Sequence, residues 1–526
     1  MVLRHGWMVG LGVALAASPA LGQAPAGTQA PTKPAAEARS VKSAKSITVA
    51  QTTTKPVPAM AAAPPSQPGA PHTLAEALAA TYSAQPVLLS ERAKLRATDE
   101  NVPQALSGWR PTVVMAGTAG YGDGMSRSFS SSAGHWINTQ TDRVIGTAQT
   151  TLTQPLYNGG KTQASLNRAK NQVMAERANL INQEQTSFIN AVIAYVGPAV
   201  PLSANQVQVG VIETQQLLAL AINNEQVLAK QLQATNDRFR VGEITRTDVA
   251  QAEAALAQAT AERQTAEGNL ETARGTFQQV IGFLPPGDLV APQPLALPVK
   301  TARDASIMAA NNNPLVVAAL FNDAAAKDQI DVAFSQLMPQ VSFQGQVFQQ
   351  NNAAARSTQV NGYQAVGQLA VPVYQGGAEY SAVRQARQSA QQTTQQVDDA
   401  RRTAVQAAVQ AWEQLVAARA SADSTREAVR ANEIALEGVE REAIVGSRTT
   451  LDVLNAQQTL LNSRVSLVQN LAQIVTDSYQ VAQAIGRLTA HDLHLPVPLY
   501  DETAYYEAVK NKWVGLGDYA TNQPGR

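Results

Sequence analysis

The chain of 526 residues has no cysteine, and aromatic side chains make up only 5% of it. Without cysteine there are no disulfides, thiolate nucleophiles or cysteine metal sites, and no lipid-modified N-terminal Cys, although this does not by itself assign a compartment. Scarce aromatics argue against a thick aromatic-filled core. The abundant Ala and Gln suit long helices packed closely through small side chains. Charge of either sign is missing in excess: 40 Lys and Arg balance 40 Asp and Glu, so nothing points to nucleic acid. The apolar run Trp7 to Ala17 follows Arg4 and His5 and is too short to span a bilayer as a helix. With the small residues at Ala20-Leu21-Gly22 it reads as a secretory signal peptide over 1–22. Residues 23–71, rich in Ala, Pro, Thr and Ser, bury too little to order themselves and read as a disordered arm.

From Thr73 the sequence describes itself twice. Thr73-Leu74-Ala75-Glu76 and Thr301-Ala302-Arg303-Asp304 both have the form of a helix cap, 228 positions apart. Pro86 and Pro314, Pro111 and Pro339, and Gly117 and Gly345 keep the same offset. Two repeats follow, 73–282 and 301–486, joined by a linker at 283–300 and closed by a C-terminal segment at 487–526. Each repeat opens with a helix of about half length and continues into two strands, expected at 112–121 and 145–156, then 340–348 and 364–373. Polar and apolar residues alternate along them, with Gln340, Ser342, Gln344 and Gln346 opposite Val341, Phe343 and Val347. The connecting stretches 122–142 and 349–361 read as exposed loops. A soluble sandwich would show the same alternation strand by strand. Ten residues, however, is also about the length of a tilted membrane strand. Four strands cannot close a barrel and lipid does not tolerate an open edge, so membrane strands would require several chains to share one barrel.

Pro155-Leu156-Tyr157-Asn158-Gly159-Gly160 and Pro372-Val373-Tyr374-Gln375-Gly376-Gly377 mark where strand turns into helix. Neither has the Lys-Ser/Thr of a phosphate loop, and Gly120 to Gly124 lacks the strand–turn–helix context of a dinucleotide site. From Gly377 to Val445 no proline interrupts the helical pattern, predicting a rod of roughly 100 Å. The first repeat carries 13 extra residues between Tyr195 and its tip. Gly197-Pro198-Ala199-Val200-Pro201 marks an expected looped-out insertion, with the helix resuming near Ile212. The tips themselves centre on Gly242 and Gly446, 204 apart, followed at the same offset by Asp248 and Asp452. Each outgoing helix ends 40 residues later, at Gly282 and Gly486. Two short helices end to end therefore match one long partner, with the proline-bearing linkers midway along the rod. No nucleophile stands beside a plausible base, and His491-Asp492-Leu493-His494 lacks a further recognisable metal ligand. No cofactor and no enzyme activity are expected.

The paired Pro-Leu-Tyr-Asn-Gly-Gly and Pro-Val-Tyr-Gln-Gly-Gly junctions, with the tips Arg238 to Val249 and Val445 to Leu454, resemble the TolC-type outer-membrane channel family from Thr73 to about Gly515. The resemblance implies a mainly α chain of duplicated helical hairpins that form a periplasmic tunnel. Four strands per chain would make a twelve-stranded barrel in a homotrimer, set in outer-membrane lipid. It further implies docking to a periplasmic adaptor and an inner-membrane transporter. The first tip looks closest to the branch serving type I protein secretion; multidrug or small-molecule efflux is the alternative, and a soluble periplasmic coiled-coil adaptor the rival from another class. In the family, Arg at the position of Arg448 bonds the first-tip Asp, here Asp248, and a second link would join Gln231 to Glu440. A third uses a Tyr where this chain has Ala443, implying a weaker latch. The constriction of the family carries two acids one turn apart; the matching positions here are Asp452 and Asn455, implying a ring of three carboxylates and a cation-selective pore.

Overall fold

The computed structural model describes residues 70–197, 210–353 and 356–517, all within one compact unit, Ala62–Arg526. The expected signal peptide, all but the last two residues of the arm, the interior of the insertion and the last nine residues lie outside it.

In the first repeat, helices α1 (Leu74–Ala84), α2 (Pro86–Asp99) and α3 (Asn101–Leu106) precede strands β1 (Thr112–Ser130) and β2 (His135–Asn158). Helices α4 (Lys161–Val196), α5 (Val211–Arg240) and α6 (Arg246–Ile281) complete it. The second repeat runs α7 (Ala302–Asn312), α8 (Pro314–Phe334), β3 (Gln340–Asn351), β4 (Gln359–Ala370), α9 (Ala378–Ile444) and α10 (Thr450–Ala484). A short α11 (Ala504–Val509) follows. Thr73 and Glu76 cap α1 reciprocally, as the sequence implied. The opening helices are nonetheless segmented. Pro86 and Pro314 begin new helices at their first turn, because proline forces the preceding residue out of the helical region: Gln85 has ψ 117° and Asn313 ψ 127°.

The 67 residues of α9 form the long rod, roughly 100 Å at 1.5 Å per residue. Helix α10 covers one part of it, and α7 and α8 another, so two shorter elements match one long one. The buried seam of α9 is largely alanine, including Ala386, Ala390, Ala404, Ala408, Ala411, Ala418 and Ala422, which lets backbones approach closely. Helix α4 lies along α8 and joins the repeats; Asn171 Nδ2 donates to Asp328 Oδ2 at 2.7 Å. Where the insertion leaves the rod, the backbones at Gly197 and Gly210 meet, and a Cβ at Gly210 would collide with Val196 and Gly197. The helix resumes at Val211. The largest apolar cluster joins α1, the end of α4, the start of α5 and the end of α6 to Leu488 and Leu495 of the C-terminal segment, with Leu289, Leu295 and Leu297 of the linker packed against it. The linker and the C-terminal segment therefore pack where α4 ends and α5 begins.

The four strands form one antiparallel sheet in the order β1-β2-β3-β4. Its polar face holds a ladder of amides: Gln364 donates to Gln346 at 2.8 Å and Gln346 to Gln149 at 2.9 Å, beside Thr118 and Thr147 at 2.6 Å. The opposite face carries Val113, Met115, Leu152, Val347, Tyr363 and Leu369, all exposed on the single chain. Strand limits differ from those the sequence suggested. The expected strands at 112–121 and 145–156 continue through most of the expected loop 122–142, and only residues 131–134 turn. The polarity signal fades there, but size still alternates: Tyr121, Met125 and Phe129 fall on one face and Gly120, Gly122, Gly124, Ser126 and Ser128 on the other. The strand at 340–348 likewise extends to Asn351, and the one at 364–373 shifts to Gln359–Ala370. It ends before Pro372, which has no N–H to donate. Among the described residues no helix is long and apolar enough to cross a membrane.

Candidate functional site at the helical tips

Both tips are built the same way, and the construction explains their sequences. At the first, Gly242 adopts φ 79°, its N–H reaches Phe239 O, and Glu243 N–H reaches Arg238 O, each at 3.0 Å. At the second, Gly446 adopts φ 80°, its N–H reaches Ala443 O at 3.3 Å, and Ser447 N–H reaches Glu442 O at 3.0 Å. These pairs of bonds close the last turn around a left-handed glycine. A capping box then opens each outgoing helix. Asp248 Oδ2 accepts from the Thr245 N–H at 2.9 Å and its hydroxyl at 2.7 Å; Asp452 Oδ2 accepts from the Thr449 N–H at 3.0 Å and its hydroxyl at 2.9 Å. Thr245 and Thr449 in turn receive the N–H groups of Asp248 and Asp452.

Both aspartates are therefore structural as well as charged, and the signal that could have shown it is the Thr-x-x-Asp spacing at each tip. The Thr245 hydroxyl and then its backbone amide hold Asp248 below the usual carboxylate range. For Asp452 the Thr449 amide comes first, then the hydroxyl, with Arg448 adding to the effect. Asp452 is half-buried and Asn455 exposed on the same helix, one turn apart. Arg448 Nε donates to Glu442 Oε2 at 2.9 Å within its own tip, and Arg238 approaches Glu243 at 3.7 Å. Among the described residues, no bond joins Arg448 to Asp248 or Gln231 to Glu440 within one chain. Arg448 finds Glu442 first because the turn places them on opposite sides of a single glycine. Apolar side chains also stand out at the tips: Val241, Ile444 and Val445 are each more than two-thirds exposed.

The sequence reading missed a buried charged network midway along the rods. Arg92 is 1% exposed, donates to Tyr82 O at 3.0 Å, and lies over the rings of Tyr82 and Tyr500, 4.5 and 5.1 Å from their centroids. Burial pushes the nearby Glu184 carboxyl up to about 7 although it accepts from Ala490 N–H at 2.6 Å, and pushes Asp99 up to about 7 despite Arg177. The available signal was Leu88, Arg92, Leu95 and Asp99 at helical spacing, which places charges inside an apolar stripe. His491 and His494 have rings 6.5 Å apart, and Asp492 pairs with Arg487 and Thr489 instead. Among the described residues no cluster of three or more His, Asp or Glu could hold a metal.

Residues 80–283 and 306–487 match the outer membrane efflux protein family, the two segments falling on the two repeats. The chain belongs to that family. Outer membrane efflux protein BepC of Brucella suis biovar 1 (strain 1330) is 34% identical over 447 residues, covering 84% of this chain and 92% of that one. Outer membrane protein TolC of Escherichia coli (strain K12) is 25% identical over 368 residues, 65% of this chain and 69% of that one. The solved structure of VceC from Vibrio cholerae shares the fold at a TM-score of 0.64 and 18% identity, covering 78% of this chain and 96% of that one. As an outer membrane efflux protein the chain is a channel subunit and not an enzyme. It functions as a homotrimer in the outer membrane, with a periplasmic helical tunnel that meets a periplasmic adaptor and an inner-membrane transporter. Four strands per chain then complete a twelve-stranded barrel, with the amide ladder facing water and the apolar face in lipid.

Proposed function

We propose that the chain is the passive exit duct of a tripartite export system, closed at its periplasmic tips until its partners open it. The observation that carries this is the matched pair of tips, each rigidly capped and each presenting an ionised aspartate. In a trimer these meet at one end of the tunnel. Three copies of Asp452 with Asn455 one turn away would form the constriction, a ring of three carboxylates that draws cations. The Arg448 bond to Glu442 uses Nε, and the guanidinium has further donors with which to reach Asp248 when tips converge. Gln231 and Glu440 would add a second link, while Ala443 supplies none.

For cargo, the likeness of the first tip to the type I secretion branch supports export of a polypeptide. A second reading, efflux of small toxic molecules, is favoured by the likeness to BepC, an outer membrane efflux protein matched over 92% of its length. Deleting the gene separates them. Polypeptide export predicts specific proteins missing from the medium; efflux predicts lowered inhibitory concentrations of several compounds with an unchanged secretome. Arg448→Ser in planar bilayers should raise resting conductance severalfold, and unchanged conductance would contradict the latch.

A further inference from the structure

The two hairpins of the sheet are unequal. Strand β3 accompanies β2 only from Asn158 up to Gly146, whereas β1 and β2 remain paired with each other out to Ser130 and His135. A two-stranded ribbon, Gly120–Ser130 against His135–Ile145, thus projects beyond the end of β3. Asn352 braces its base by donating to Val144 O at 2.9 Å, as does Arg356 by pairing with Asp142 at 3.2 Å. Beyond that brace, seven residues of each strand remain, a reach of roughly 23 Å at 3.3 Å per residue. A twelve-stranded barrel of tilted strands has a backbone radius of roughly 12 Å. The ribbon is long enough to reach the barrel axis from its rim.

Its residues also give it a direction of bend. At the base, Gly120, Gly122 and Gly124 alternate onto the face that continues the water-facing side of the barrel, opposite Ile145, Arg143 and Thr141. No atom lies within 4 Å of where a Cβ of Gly120 would be, and Gly122 faces only the end of Ile145, at 3.5 Å. The inner side of β1 is bare where the ribbon leaves the rim, so curvature towards the axis meets no side chain on that strand. The outer face is filled instead: Phe129 packs edge-on against Trp136 at 5.5 Å, and Arg127 lies over Trp136 at 5.3 Å. An isolated two-stranded ribbon with free backbone edges is marginal in water and needs cover. Asp123 and Asp142 offset Arg127 and Arg143, so the ribbon carries no excess charge to draw it to anionic headgroups.

The geometry points to one occupant, the same ribbon of the two sister subunits: three ribbons fold inward and meet over the outer mouth of the barrel. Their contact continues the β1 seam at which each neighbouring subunit closes the barrel. The reading rests on the homotrimer.

The absence of cysteine gives a clean test. Ser132→Cys places one thiol in the ribbon turn, and Ala353→Cys one in the β3–β4 turn at the rim, where three-fold copies are roughly 20 Å apart on a barrel of this radius. Both variants are purified as trimers in detergent, diluted so that trimers do not meet, and treated with a short thiol–thiol linker. Native mass checks the trimer separately. The expected result is a linked pair in most trimers of Ser132→Cys, up to two of every three chains, and none for Ala353→Cys. Intact trimers in which Ser132→Cys stays as unlinked as Ala353→Cys would overturn the proposal and leave the ribbons standing apart.

Discussion

Changing either double-glycine junction to alanine should reveal how differently two formally equivalent turns are held. Gly159 and Gly376 occupy the same place in the two repeats, with φ 67° and 72°. At Gly376 a Cβ meets nothing within 4 Å, so Gly376→Ala incurs only the left-handed backbone cost, about 1 kcal/mol after the unfolded chain loses some freedom. At Gly159 the same Cβ would lie 2.6 Å from both Met338 Cβ and Ser335 O, in the turn that leads into β3. Backbone has to move there, adding a further ~1–3 kcal/mol of overpacking. Gly159→Ala should therefore destabilise the trimer by about 2–4 kcal/mol per subunit. Thermal melts followed by circular dichroism, with trimer retention on gels, measure both. If the two variants melt together, the account of the first junction as a packed contact between repeats is wrong.

The caps give a second expectation: Thr449→Ala should cost about 1 kcal/mol and speed amide exchange in the first turn of α10 about fivefold, with Thr245→Ala doing the same for α6. The desolvated acids midway along the rods give a pH dependence of definite sign. Glu184 and Asp99 have folded pKa values near 7, above their unfolded values of 4.5 and 3.8, so the folded state holds protons that the unfolded state releases. Stability should be greatest below about pH 4 on their account and fall as pH rises towards 7; Glu184→Gln with Asp99→Asn should flatten the melting temperature across that window. The tip aspartates act oppositely and only at acid pH, since their folded values are depressed. Arg92→Met removes a buried charge that lies over two tyrosine rings and near the partly buried Glu184, and should cost about 3–5 kcal/mol in the same melts.

What could be read from the residues was whatever depends on spacing. The repeat offsets, the glycine turns and the double-glycine junctions survive in any context, because only glycine adopts those backbone angles cheaply. The long proline-free helix was legible for the same local reason. Strand ends were not: Gly122 to Asp142 is turn-like in composition, yet outside the turn at 131–134 each residue pairs with a partner that the sequence alone does not name. Nor was the segmentation at Gln85 and Asn313, although the prolines that cause it were visible. At the tips, the sequence marked Asp248 and Asp452 as important and gave them one role, and the structure adds that each is bound into its own helix start. Arg448 illustrates the limit. Its partner within the chain is Glu442, and any bond to Asp248 belongs to the assembled trimer.

The reversal potential of the purified trimer in a planar bilayer under a salt gradient tests the Asp452 ring most directly. The account predicts a clearly cation-selective channel, blocked by multivalent cations from the periplasmic side, with both properties abolished in Asp452→Asn. An Asp452→Asn channel with unchanged selectivity and block would contradict it.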